Sequence, residues 1–306
     1  MARLVGMRKV KVALRQVVVG VALSGLLVGC GPNSEPSNPD PSPRSEQPRR
    51  TEKVAFQDGW QSVFVMNPDG TDVVRIGEGN HPSFSRDGSK IVVGGTAIST
   101  MDPDGSNVRR LTDGGYGPKF SPDGSRIAFA RGGAIYAINT DGSDLKQLTA
   151  PPDPTAPPGP GQASSQNPVF SPDGSKILFT RTGAIWVMAA DGTHARQVLA
   201  DPFWNSDPIF TPDGTKIVFT SNRGGKNRSE IYVMHANGAD VRPLTDDATV
   251  HPAFSPDGSK ILYSRNPAPE PGAQIWVMNS DGSNARQLTD PKQTAQHPSW
   301  GAGTGR

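Results

Sequence analysis

The sequence predicts an all-β fold, a six-bladed β-propeller closed by its own two ends in a one-plus-three arrangement. Three observations carry that expectation: a motif pair repeated six times, turn signals dense enough to break up long helices, and incomplete motif copies at the two ends of the repeat region. Glycine (35) and proline (30) together make about a fifth of the 306 residues. The apolar fraction of 34% is nevertheless that of a chain able to build a core.

The first motif is x-P-x-F-S-P-D-G-S-K-I-x-F. It occurs as HPSFSRDGSKIVV from His81, GPKFSPDGSRIAF from Gly117, NPVFSPDGSKILF from Asn167, DPIFTPDGTKIVF from Asp207 and HPAFSPDGSKILY from His251. A sixth copy starts as HPSW at His297 and stops. The second motif, I-Y/W-V-M-N-x-D-G-S-x-x-R-x-L, begins at Val63, Ile98, Ile135, Ile185, Ile231 and Ile275. Between Lys53 and Trp300 this gives about 41 residues per unit, the length of a four-stranded propeller blade.

Each unit divides into four strands: x-P-x-F innermost, then K-I-L-F-T, I-W-V-M and A-R-Q-L. The second and third are near-continuous apolar runs, as strands buried on both faces must be. Ser-Pro-Asp-Gly sets a tight turn, with proline fixing φ and glycine accepting a positive φ. Proline at the start of the innermost strand is tolerated because that strand is an edge. At the ends, His297-Pro298-Ser299-Trp300 lacks its next strand and Lys53-Val54-Ala55-Phe56 lacks its preceding one. Joined, they complete one blade and remove a free sheet edge.

The two motifs resemble those of the TolB-like propeller family. Phe219-Thr220-Ser221-Asn222-Arg223-Gly224-Gly225 followed by Glu230-Ile231-Tyr232-Val233-Met234 is similar in particular. The resemblance implies a six-bladed ring working through protein contacts. TolB itself carries an α/β domain before its propeller; here the expectation is a ring preceded only by a linker.

Residues 1–29 are expected to be a lipoprotein signal peptide. Arg3, Arg8, Lys9, Lys11 and Arg15 lead into a 13-residue run from Val17 to Gly29, too short to span a bilayer with ease. Leu27-Val28-Gly29-Cys30 resembles a bacterial lipobox, which implies lipidation of Cys30, the one cysteine of the chain. Residues 30–52 form a Pro-rich tether with six prolines and no large apolar residue. Residues 53–306 form the propeller. Gly31 after Cys30 points to the outer membrane in a two-membrane cell. Without the five leader cations, 26 basic face 29 acidic residues, so no basic footprint for nucleic acid is present.

Antiparallel geometry puts the Asp-Gly turns on one rim and the variable connections on the other. The variable segments are 150–166, 222–229 and 266–272. Binding on a rigid scaffold concentrates in such loops, and Trp60, Tyr116, Phe203 and Trp204 fall on that rim as aromatic anchors. The residues before each innermost-strand proline are, in ring order, Asp207, His251, His297, His81, Gly117 and Asn167. Asp207, His251, His297 and His81 form a donor set that suits zinc, manganese or iron. The same residues also suit a shallow polar ligand site, and the reading adopted is a site with no metal and no cofactor. The Asp-Gly turns lack the glutamate an EF-hand loop needs.

No nucleophile elbow, His-Glu-x-x-His or phosphate loop occurs. The expected function is non-enzymatic: a monomeric, lipid-anchored envelope protein, exposed on the periplasmic or outer-surface side, whose loop face binds another envelope protein. A glycan- or peptide-binding propeller, or a metal-dependent carbohydrate enzyme resembling oligogalacturonate lyase, is the alternative.

Overall fold

The computed structural model describes residues 52–59, 61–153, 155, 163–225, 228–266 and 272–302. The expected signal peptide, Cys30, the tether up to Thr51, and Trp60 lie outside the described residues. The fold is all β. Among the described residues no helix is long and apolar enough to cross a membrane.

Strands β1 (Lys53–Gln57), β2 (Ser62–Met66) and β3 (Val74–Glu78) open the first sheet. A second sheet holds β4 (Asn80–Phe84), β5 (Ile91–Met101), β6 (Arg109–Phe120), β7 (Arg126–Arg131), β8 (Ala134–Asn139) and β9 (Lys146–Gln147). The third comprises β10 (Ser165–Phe170), β11 (Lys176–Arg181), β12 (Ala184–Ala189) and β13 (Arg196–Leu199). The fourth comprises β14 (Asn205–Phe210), β15 (Lys216–Ser221), β16 (Glu230–His235) and β17 (Arg242–Pro243). The fifth comprises β18 (Thr249–Phe254), β19 (Lys260–Arg265), β20 (Gln274–Asn279) and β21 (Arg286–Gln287). Strand β22 (Gln296–Gly301) returns to the first sheet, antiparallel to β1, with Val54 opposite Trp300 and Ala55 opposite Ser299.

The expectation of six blades is therefore corrected. The strands form five hydrogen-bonded sheets, four of four strands and one of six, because the second and third repeats share a sheet. In the third and fourth repeats a two-residue turn separates the middle strands, Gly132-Gly133 between Arg131 and its partner Ala134 and Thr182-Gly183 between Arg181 and its partner Ala184. In the second repeat β5 runs through that point without a break, and β6 runs from the outer strand of one repeat into the inner strand of the next. Glycine makes this possible. A Cβ on Gly94 would lie 2.6 Å from the Gly115 carbonyl oxygen, and one on Gly115 would lie 2.6 Å from the Phe129 ring.

The core sits between the layers. Leu178, Ile185 and Val187 of the third sheet interlock with Ile217, Phe219 and Met234 of the fourth. Val54, Phe56 and Met66 of the first meet Leu262, Ile275 and Val277 of the fifth. The six-stranded sheet folds over itself, packing Val92 and Ile98 against Ile127, Phe129 and Ile138. Phe129, Phe179 and Phe219 are wholly buried at equivalent positions of successive repeats.

The Ser/Thr-Pro-Asp-Gly turns are held by their own side chains. Ser171 Oγ donates to Asp173 Oδ1 at 2.5 Å, and the Ser175 amide donates to the same oxygen at 3.0 Å. These bonds to the charged form hold the carboxyls of Asp123, Asp173 and Asp213 down at about 2. The aspartates are turn formers with occupied oxygens, in keeping with the hairpin reading of the motif.

Candidate functional site

The inner strands converge on the axis with a shared irregularity. Register slips between Gln166 and Val169, between Ser206 and Ile209, and between Val250 and Ala253. The cause is the residue before each proline, whose backbone is left-handed: φ is 53° at His81, 58° at Gly117, 51° at Asn167, 48° at Asp207, 57° at His251 and 53° at His297. Glycine, Asn, Asp and His are the residues that tolerate this region best. The residue types in the ring follow first from this backbone constraint, which sequence reasoning did not see.

All six residues line one central cavity of about 50 Å³. The structure brings the three histidines into contact: the ring centroids of His251 and His297 are 3.6 Å apart, and those of His81 and His297 4.0 Å. Across the cavity, Asn167 Nδ2 donates to Asp207 Oδ1 at 2.8 Å, and Ser206 Oγ donates to Asp207 Oδ2 at 2.9 Å. Gln57 Oε1 accepts from the His81 amide, and Ser264 Oγ accepts from the His297 amide at 3.1 Å. His81 Nδ1 is buried without a hydrogen-bond partner.

Burial is the first cause of the lowered histidine pKa values. It holds His81 down at about 4 and lowers His251 and His297 also, with repulsion between the rings and from Lys119 adding to the effect on His81 and His297. The rings are neutral at pH 7. Among the described residues no group of three or more His, Cys, Asp or Glu has the geometry to hold a metal ion.

Lys119 is the residue that sequence reasoning missed. It lines the same cavity, and burial lowers its pKa while Asp207 opposes that shift. The signal was present in the repeats. At its position the other copies carry Ser83, Val169, Ile209, Ala253 and Ser299, so Lys119 is the one charge the motif places there.

Away from the axis the expected aromatic anchors separate. Tyr116 is 60% exposed and meets His81 edge-on, with ring centroids 6.5 Å apart. It borders a groove of about 390 Å³ that includes His81, Gly117 and Asn167 and so continues from the central cavity. Trp204 is also 60% exposed and lies over the Gly183 turn, where a Cβ would come within 2.8 Å of the indole. Phe203 is 40% exposed and is partly covered by the Arg223 guanidinium, 5.5 Å from its centroid. Arg223 in turn pairs with Asp201 at 2.5 Å.

Residues 159–304, just under half of the chain, match the PD40 family model, described as a TolB beta propeller domain. No curated protein matches the chain significantly. Among solved structures, TolB from Acinetobacter baumannii superposes with a TM-score of 0.69 at 18% identity, over 82% of this chain and 67% of that one. A TolB assigned to Agrobacterium tumefaciens gives 0.62 at 18% identity, over 81% and 97%. An oligogalacturonate lyase in complex with manganese gives 0.53 at 16% identity, over 74% and 70%. At these identities the structural likeness is one of fold, and with the family match it gives this chain a TolB-like propeller.

Proposed function

We propose that this propeller is an interaction scaffold of the bacterial envelope, held to a membrane by a lipid on Cys30 and docking another envelope protein on its loop-bearing face. The observation that carries the docking reading is the pair of exposed aromatics on that rim, Tyr116 and Trp204. Large aromatics left in water on a rigid disc are favoured anchors of protein interfaces. The groove beside Tyr116 leads to the central cavity, which gives a partner a recessed foothold as well as a flat one. The TolB-like fold supports the scaffold reading, and Leu27-Val28-Gly29-Cys30 supports the lipid anchor. One acyl chain would bind marginally, whereas two or three anchor stably.

A lyase-like activity has less support. The likeness to the manganese-bound lyase is one of fold, and the ring histidines face each other rather than a common metal position. The test is cross-linking in native envelopes, comparing wild type with a Tyr116→Ala/Trp204→Ala variant. One envelope protein cross-linked by wild type and lost with the variant is the expected outcome. Cross-links that do not depend on this rim would end the docking reading. Metabolic labelling with a palmitate analogue, with Cys30→Ser as the control, tests the anchor.

A further inference from the structure

We propose that Arg181 receives an acidic side chain, Asp or Glu, from the protein that docks on this rim. The proposal rests on the docking reading above and gives the docked protein a chemistry. It comes from one position compared across the repeats.

In the sixth repeat Arg265 lies on Trp276, 4.5 Å from the indole centroid, and donates through Nε to Asp247 at 3.1 Å. Arg265 stands fourteen residues after His251, and Asp247 four before it. Counted in the same way from Asn167, the fourth repeat has Arg181 and Ala163. The strand register is the same: Ser165 pairs with Arg181 as Thr249 pairs with Arg265. The arginine is kept, and a methyl group stands where its acid would be. The fifth repeat makes the pair with other residues, Arg223 and Asp201, 2.5 Å apart. The third keeps the acid as Asp113, which pairs with Arg110.

Arg181 is nevertheless held in place. Its guanidinium carbon lies 5.2 Å from the Trp186 centroid and 5.5 Å from that of Phe179. Nε donates to Ser165 Oγ at 3.1 Å, and neither Nη has a hydrogen-bond or ion-pair partner among the described residues. Burial lowers its pKa, and no carboxylate opposes that shift as Asp207 does at Lys119. Arginine stays charged in spite of it. Fixed by one bond and a stack, its free edge suits a carboxylate in fork geometry, with little side-chain freedom left to lose.

Ser165, the residue that Arg181 holds, lines the groove of about 390 Å³ that begins at Tyr116. Arg131 lines the same groove, and no Asp or Glu does among the described residues. Its charge therefore favours an acidic guest over a neutral or basic one. An extended segment laid past Tyr116 would bring a carboxylate to Arg181.

The experiment is an NMR titration of the full-length protein, labelled at the tryptophan indoles, at constant ionic strength. Hexaglutamate is the probe; hexaglutamine and oligogalacturonate are the comparisons. The Trp186 indole signal should shift saturably with hexaglutamate and stay in place with hexaglutamine. Arg181→Gln should weaken hexaglutamate binding roughly tenfold, since a charge-assisted pair is lost. Ala163→Asp should weaken it similarly, because it gives Arg181 the acid that Arg265 has. That variant keeps the arginine and its stack, and it decides the matter if Arg181→Gln does not fold.

No saturable shift, an equal response to hexaglutamine, or unchanged affinity in either folded variant would overturn the site. Tighter binding of oligogalacturonate than of hexaglutamate would overturn it in favour of an acidic glycan. Arg181-dependent binding of hexaglutamate, with envelope cross-links indifferent to Tyr116 and Trp204, would place the error in the docking reading instead. Cross-links lost with those two residues but kept in Arg181→Gln would leave the docking reading and remove this one.

Discussion

His297, near the end of the chain, lies against His251 with ring centroids 3.6 Å apart, which joins the closing strand to the fifth sheet across the axis. Each ring removes water from the other, and neither has a carboxylate in hydrogen-bond contact. Their neutrality is a condition of the packing.

That condition predicts acid sensitivity. His81 titrates at about 4 in the fold against 6.5 in the unfolded chain, so below 6.5 the unfolded state binds more protons. Its contribution is fully present above pH 6.5 and is lost as pH falls towards 4. The shift corresponds to roughly 3 kcal/mol, with His251 and His297 changing in the same direction. The facing titratable groups are His251 and Lys119, which add to the loss, and Asp207, which opposes it. Urea unfolding at pH 7.5 and 4.5 measures it. The His81→Asn variant should lose clearly less stability between those two pH values than wild type.

The left-handed ring can be tested apart from any ligand. Asn167 has φ of 51°. Asn167→Val puts a β-branched residue in that conformation and should cost about 1–3 kcal/mol. Asn167→Gly keeps the conformation and should cost less, the difference being readable in thermal melts. Equal losses in the two variants would show that the side-chain bond to Asp207, not the backbone, sets the requirement.

Gly238 is a contact between sheets as well as a turn residue. Its φ is 93°, and a Cβ there would sit 2.2 Å from the Val198 carbonyl oxygen on β13. Gly238→Ala should destabilise by about 2 kcal/mol or more, combining strain and overpacking. Gly225, with φ of 69° and open space around it, should lose only the conformational part. Denaturant midpoints of the two variants separate these causes.

The closing strand gives a fourth test. Trp300 packs partly buried against the cluster of Val54, Phe56 and Leu262, and its Nε1 donates to Glu52 Oε2 at 2.8 Å. Trp300→Ala should cost about 2–4 kcal/mol and raise aggregation on heating, because a loosened β22 exposes the β1 edge. Light scattering during the melt reads the second effect.

Much of this was legible in the residues. The Asp-Gly turns, the buried Phe129, Phe179 and Phe219, and the pairing of Val54 with Trp300 follow from motif spacing and from the incomplete end copies. The sheet count was not, because continuity of β5 and β6 depends on how closely Gly94 and Gly115 approach, and the repeat pattern carries no record of that distance. The ring was found from its place before each proline, but its residue types were weighed as ligands when the torsion angle is their first cause. Lys119 was passed over because motif reading attends to what recurs, and Lys119 is what does not.

The left-handed backbone at six points around the axis also bears on how such a protein changes over time. It restricts each of those points to a short alphabet of glycine, asparagine, aspartate and histidine, three letters of which carry a donor, an acceptor or a titratable ring. Drift within that alphabet leaves the scaffold undisturbed while rewriting the chemistry at the axis. A propeller of this kind keeps a stock of ready-made polar combinations at its centre.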